Sequence, residues 1–277
     1  MSDDLLTASD LLPARPSGEW AREKLYYLAR YMEIFTTGQK NRWTRRAYID
    51  LMAGPGVCKI RPAGDEFDGS PLIALNTKTP FTHAVFVELD GECCQALNFR
   101  CGAPGLRPDP LIIHGDCNDQ AVIGQIRQAA PGDALTLAFV DNLGLNVTFE
   151  TLKALTRERR IDLVITFQVQ DLVRNVRQAL EAGGDLRLSR FFGSSRWIDR
   201  VAGVQPSEYA SALTDFYLEQ LGTIDYCACE QLHVLMRNSC NAPLYRLILA
   251  GKHPRAVDYF RKISTIEHTG QRNLFAG

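Results

Sequence analysis

The sequence predicts an α/β fold: a mostly parallel sheet with helices on both faces and one reversed strand near the end. Three observations predict it. Five short apolar runs, at 46–52, 83–89, 111–114, 134–140 and 161–167, alternate with segments of helical spacing, the pattern of parallel strands buried on both sides. Two further runs, 226–236 and 244–250, are joined only by a short polar stretch at 237–243. No helix fits there, so they pair as a hairpin and one strand runs antiparallel. Carboxylates also stand at the ends of four consecutive strands, the edge where open α/β sheets bind ligands.

The elements follow in order. Residues 1–18 hold two prolines and a glycine without a clear period and read as a flexible arm. Residues 19–37 place Trp20, Leu25, Leu28, Tyr31, Met32 and Phe35 at helical spacing. The first strand, 46–52, runs into glycines. GSPLIAL at 69–75 starts a helix, with Ser70 as cap and Pro71 at the first helical position. Helices over 91–99, 118–129 and 148–159 separate the later strands. Residues 168–224 are long, helical in places and rich in arginine, an elaboration over the sheet's carboxyl edge within a single domain spanning 19–277. Residues 254–263 suit a helix better than a third late strand, because Pro254 fits a helix start.

Bulk composition narrows the function. The chain has 277 residues, 45% apolar and 23% charged, with a net charge of −1. Nothing global draws it to a polyanion, so any such site is a local patch. There is no long uncharged apolar run for a membrane span, and the acidic N-terminus lacks the basic start of a secretory signal. A cytoplasmic protein is expected. The eight cysteines include no C-x-x-C pair, so no metal site is expected. Reduced, mostly buried thiols are the reading. Cys93, Cys94, Cys101 and the five histidines are taken as structural.

The stretch AYIDLMAGPGVC, 47–58, bears most on function. Gly54 and Gly56 let the backbone approach a ligand closely. A phosphate-binding P-loop would need Lys-Ser or Lys-Thr after its glycines, and none follows. A dinucleotide fingerprint would need a third glycine where Lys59 stands. S-adenosylmethionine is the third candidate, and it also accounts for the reversed strand. Glu88 and Asp90, ending the second strand, can accept two ribose hydroxyls. Asp116, after the third, can accept an adenine amine. Asp141, after the fourth, stands where a methyl acceptor would sit. The alternative for each is an ordinary turn residue, since Asp and Asn are common after strands.

These residues resemble a Rossmann-like class I S-adenosylmethionine-dependent methyltransferase sheet, and DLMAGPG (50–56) is similar to the first motif of enzymes that modify nucleobases. More specifically, the chain resembles the three-Cys-motif partner family, a bacterial group of methyltransferase-like proteins. The resemblance rests on YIDLMAGPG (48–56), GSPLIAL (69–75), FVELD (86–90), HGDCND (114–119), FVDNLG (139–144), DLVITF (162–167), Arg174, RFFG (190–193) and PLYRLILAGKHPRA (243–256). It implies that Asp50, Ala53, Gly54 and Gly56 line the methionine and ribose end of the cofactor. Glu88 would hold the ribose, Asp116 and Cys117 the adenine, and Asp141 with Asn142 the catalytic position. It also implies a neighbouring partner protein. The chain departs from the pattern after Asp141, where Asn142, Leu143 and Gly144 replace the proline and stacking aromatic. That leaves the acceptor, and activity itself, open. Cytosine carbon methylation would need a cysteine just after the fourth strand, and none stands there.

Two basic clusters, KNRWTRR (40–46) and RLSRFFGSSRWIDR (187–200), interleave arginine with Trp or Phe, a mix that suits DNA or RNA contact. The alternative is a solvated face with aromatic core anchors. Lys24, Arg174, Arg190 and Arg196 are candidate substrate contacts, with a solvated surface charge as the alternative for Lys24 and Arg174. Three functions stay open: methylation of a nucleic-acid base, a catalytically weak cofactor-binding protein acting with a partner, and methylation of a small molecule or protein.

Overall fold

The computed structural model describes residues 5–182, 184–226, 228–231, 236–237 and 243–264. In chain order the elements are β1 (Leu6–Thr7), β2 (Pro13–Ser17), α1 (Glu19–Gln39), β3 (Arg46–Asp50), β4 (Val57–Ile60), β5 (Glu66–Asp68), α2 (Ser70–Leu75), β6 (His83–Glu88), α3 (Gly91–Cys101), β7 (Leu111–His114), α4 (Gln120–Ala129) and β8 (Leu135–Val140). They continue with α5 (Phe149–Thr156), β9 (Ile161–Phe167), α6 (Val169–Glu181), α7 (Leu186–Phe192), α8 (Trp197–Val201), α9 (Tyr209–Gly222), β10 (Ala228–Gln231), β11 (Met236–Arg237), β12 (Pro243–Gly251) and α10 (Pro254–Ser264).

The main sheet has the order β10-β12-β9-β8-β3-β6-β7, with β11 also on β12. The strands from β7 to β9 are parallel, and β12 runs antiparallel to both β9 and β10. This is the mostly parallel, Rossmann-like α/β sheet expected from the sequence, reversed strand included. Part of the expected 226–236 strand, and the turn at 238–242, lie outside the described residues.

Period-two alternation divides the buried side chains between two faces. Ala47, Ile49, Val85, Val87, Ala138 and Leu163 pack against α4 to α9 on one side. Tyr48, Phe86, Leu137, Phe139 and Leu247 pack against α1, α2, α3 and α10 on the other. The arginine-rich segment between β9 and β10 contributes to the first core: Phe191 stacks on Tyr217 with ring centroids 4.9 Å apart.

Two expectations are corrected. The N-terminal segment is not loose from residue 5 onward. β1, β2, β4 and β5 form a second, four-stranded sheet. β1 pairs with β2 at residues 13–14, and β4 pairs with it at 15–17, so among the described residues each half of β2 has one strand neighbour, an edge-like setting where proline is tolerated. Arg100 on α3 fastens the segment. Its guanidinium donates to Asp10 at 2.8 Å, to the Pro13 carbonyl at 2.7 Å and to the Pro55 carbonyl at 2.5 Å. The cap of α2 is Gly69, not Ser70, in extended conformation. Gly69 N–H donates to the Gly56 carbonyl at 2.7 Å, and an added Cβ would lie 3.0 Å from that oxygen. The β4–β5 excursion therefore leaves and returns at two touching glycines.

Candidate functional site

Backbone hydrogen bonds from the flanking strands hold the turn after β3. Leu51 N–H donates to the Phe139 carbonyl at 3.2 Å and Ala53 N–H to the Val87 carbonyl at 2.9 Å. Gly54 and Gly56 then adopt φ of 67° and 88°, the left-handed region that favours glycine. Glu88, buried at the end of β6, accepts from Gly54 N–H at 2.6 Å and from Asp90 N–H at 2.9 Å. Each of its oxygens keeps lone-pair capacity for a further donor.

Asp50 supports this turn from beneath and lines neither cavity described below. It is fully buried and accepts from Tyr48 Oη at 3.1 Å, from Met52 N–H at 3.3 Å and from the Ser70 hydroxyl. Burial pushes its carboxyl up to about 6, against the Ser70 hydrogen bond that lowers it. Asp90 is likewise structural. It caps α3, accepting from Cys93 N–H at 2.8 Å, and that bond holds its carboxyl below the ordinary value.

A cavity of about 690 Å³ opens beside Glu88, with Met52, Asp116, Cys117, Arg15 and Arg190 among its lining residues. That is ample for a nucleoside-sized ligand. Asp116 Oδ1 accepts from Asn118 N–H at 2.8 Å and from its side-chain amide at 2.9 Å. Asn118 in turn accepts from Thr148 N–H at 3.0 Å and from the Thr151 hydroxyl at 2.6 Å, tying the β7 loop to the start of α5. Cys117 is buried, which pushes its thiol up to about 12, so it is an inert wall and not a nucleophile.

Deeper in, a pocket of about 40 Å³ is lined by Ala53, Gly54, Gly56, Lys24, Asp141 and again Arg15. Lys24 and Asp141 are each 8% exposed, and Lys24 Nζ lies 2.5 Å from Asp141 Oδ2. Burial opposes the Asp141 charge, but the Lys24 ammonium holds the carboxyl below its ordinary value. Asp141 Oδ1 and the Thr166 hydroxyl are both buried and make no hydrogen bond of good geometry, but the hydroxyl stands close enough to help hold the carboxyl down. Asn142, by contrast, is not available for chemistry. Its side chain accepts from Val147 N–H at 2.9 Å and donates to the Val147 carbonyl at 3.3 Å, closing the loop after β8.

The remaining basic candidates separate. Lys24 is not a solvated charge. Arg190 lines the larger cavity. Arg174 is exposed on α6 and pairs with Asp171 at 2.7 Å, and neither it nor Arg196 lines that cavity or the deeper pocket. The aromatics of the 187–200 cluster, Phe191, Phe192 and Trp197, are fully buried and offer no stacking face. Arg15 is a site residue the sequence reading missed. An added Cβ on Gly54 would lie 3.4 Å from Arg15 Nε, so the guanidinium covers the glycine turn. A lone arginine between prolines gave no periodic signal. Among the described residues no group of three or more His, Cys, Asp or Glu could hold a metal ion, and no helix is long and apolar enough to cross a membrane.

No family model matches the chain, and no curated protein matches it. Among solved structures it is similar to protein LPL1258 from Legionella pneumophila str. Philadelphia 1, with 11% identity and a TM-score of 0.53 over 90% of this chain and 92% of that one. A likeness at that identity bears on the fold alone. Looser likenesses include Trm1 from Pyrococcus horikoshii with S-adenosyl-L-methionine, at 12% identity, a TM-score of 0.44, and 84% and 57% coverage. Another is TYW2 from M. jannaschii in complex with AdoMet, at 10% identity, a TM-score of 0.42, and 85% and 76% coverage.

Proposed function

We propose that the chain binds S-adenosylmethionine along the carboxyl ends of β3, β6 and β7 and transfers its methyl group to an amino group of a nucleic-acid base or nucleotide. The supporting observation is the cavity that Glu88 and Asp116–Cys117, from the ends of adjacent strands, share beside the glycine turn. Glu88 has lone pairs left for two ribose hydroxyls. Asp116 and the Cys117 backbone stand where a base would lie. The left-handed glycines keep Cβ atoms away from the tail of the ligand. The bound cofactor would supply an electrophilic methyl group. The protein's own part is position and hydrogen bonding. Lys24 holds Asp141 Oδ2, which leaves Oδ1, with the Thr166 hydroxyl nearby, to accept an amine N–H and orient the nitrogen lone pair.

A second reading is a cofactor-binding protein that is catalytically weak alone and acts with another protein. The closed Lys24–Asp141 pair, the 40 Å³ pocket around it and the lack of an aromatic at 143–144 favour that reading. Calorimetric titration with S-adenosylmethionine and S-adenosylhomocysteine tests cofactor binding. The intact protein should bind both, and Glu88→Ala and Asp116→Ala should each weaken binding about tenfold or more. No binding to the intact protein would remove the proposal. Transfer of labelled methyl to RNA, DNA or nucleotides that is lost in Asp141→Ala supports the enzyme. Tight cofactor binding without transfer leaves the second reading.

A further inference from the structure

The basic segment 40–46 plays no part in the site above. It lies at the opposite edge of the sheet, where α1 ends and β8 and β9 begin. β8 alone is six residues long, so the two edges are on the order of 20 Å apart. At this far edge is a second cavity of about 300 Å³. Its floor is apolar and buried: Phe35 and Ile161 are each 1% exposed. Its walls include two aromatic rings, Trp43 and Tyr259.

Both rings are held in place. Trp43 N–H donates to the Gln39 carbonyl at 2.8 Å, and its own carbonyl accepts from Arg46 at 2.6 Å. Tyr259 packs over Gly38, where an added Cβ would lie 3.3 Å from its hydroxyl. The rim is cationic. Arg42, Arg160 and Arg255 are exposed and line the cavity, with Arg160 5.1 Å from the centre of the Trp43 ring. Among the described residues none of these three arginines forms an ion pair with a carboxylate. In a chain of net charge −1, three unneutralised guanidiniums around one concavity make a local anion site. One acid also lines the cavity. Asp162 accepts a long bond from Tyr31 Oη, 3.4 Å, and burial pushes its carboxyl up to about 7. At neutral pH such a group can either donate or accept a hydrogen bond.

We propose that this cavity is a second ligand site that takes a nucleotide, with the base against Trp43 and Tyr259 and within reach of Asp162, and the phosphate on Arg42, Arg160 and Arg255. Aromatic walls alone would suit any planar molecule, and the arginines alone any anion. Their meeting in one small concavity selects a ligand that is both. The site does not depend on the methyl-transfer reading.

The test is titration of the full chain with cytidine monophosphate, inorganic phosphate and a short fluorescent single-stranded RNA. Cytidine is chosen because an adenine nucleotide would also suit the first cavity. The nucleotide should bind about tenfold or more tighter than phosphate, the gain expected from stacking one base. Trp43→Ala should remove that gain and leave phosphate binding in place. Arg42→Ser with Arg160→Ser, both exposed positions, should lose binding of all three probes while the melting temperature and S-adenosylmethionine binding stay unchanged. RNA held tighter than the mononucleotide and lost in the same variant identifies a nucleotide within a strand. RNA held no tighter identifies a free nucleotide. A nucleotide bound no better than phosphate, binding undiminished in the double arginine variant, or no binding of any probe would each overturn the proposal.

Discussion

Lys24 on α1 and Asp141 at the end of β8, 117 residues apart in sequence, meet at 2.5 Å in the interior. Lys24 also lies 6.0 Å from the Phe139 ring centre and 5.7 Å from that of Tyr245, so aromatic faces surround the ammonium. A buried pair of this kind contributes little net stability when intact, but losing one partner strands the other charge. Lys24→Met and Asp141→Leu should each cost about 3–5 kcal/mol. The double variant should recover much of that in a urea-unfolding cycle. Asp141 is held below its ordinary value of 3.8, so the pair's contribution is present above that pH and is lost as pH falls through the folded value. Costs that simply add would show that the pair is not coupled.

Arg100 joins α3, the N-terminal strands and the glycine turn through hydrogen bonds to Asp10, Pro13 and Pro55. Arg100→Met would leave the Pro55 carbonyl, a buried contact, without its donor and release the arm. A loss of about 3 kcal/mol is expected. Chymotrypsin should then cut after Leu11, the exposed residue of the arm, much faster than in the parent protein. An unchanged digestion pattern would mean that the small sheet holds without this staple.

Much of the fold was legible because it is written in short-range patterns. The five apolar runs became β3, β6, β7, β8 and β9, and the absence of any helix signal between the last two runs foretold the antiparallel β12. The small sheet was not legible. β1, β2, β4 and β5 are two to five residues long, too short for a period. They are joined by register across more than forty residues and by Arg100, which in sequence is one more charge at a helix end. Strand-end position is the sequence signal shared by Glu88 and Asp116, which line the larger cavity, and Asp141, which lines the deeper pocket. Position alone could not separate Asp90 and Asn142, whose side chains serve their own loops. Lys24 stands on the buried face of its own helix, beside Leu25 and Leu28, and that placement was the available signal against a solvated charge.

Gly193 closes α7 with φ of 70°, and an added Cβ would lie 2.5 Å from Phe149 Cδ1. Phe149 packs edge-on against Tyr217 in the first core, with ring centroids 6.4 Å apart. Gly193→Ala combines the left-handed cost of about 1–2 kcal/mol with displacement of a core ring. Gly105→Ala is the control, because Gly105 has φ of 93° and nothing within 4 Å of the added carbon. The 193 variant should melt well below the 105 variant. Equal melting temperatures would show that Phe149 yields at no cost.

Asp50 gives a pH signature with a definite sign. Its carboxyl is pushed from 3.8 to about 6, first by burial. The folded protein therefore keeps a proton there that the unfolded chain releases. Between those two pH values the unfolded state binds fewer protons, so stability falls as pH rises. The gap from 3.8 to about 6 corresponds to on the order of 3 kcal/mol. Asp50→Asn keeps the shape and removes the titration. Its hydrogen bonds to Tyr48, Met52 and Ser70 will change by a fixed amount, so the pH dependence of the difference is the readout. Relative to the parent, the variant should gain on the order of 3 kcal/mol between pH 4 and pH 6 in urea titrations and change little above that range. Parallel curves across that window would mean that Asp50 stays ionised in the folded protein, with Ser70 and Tyr48 outweighing burial.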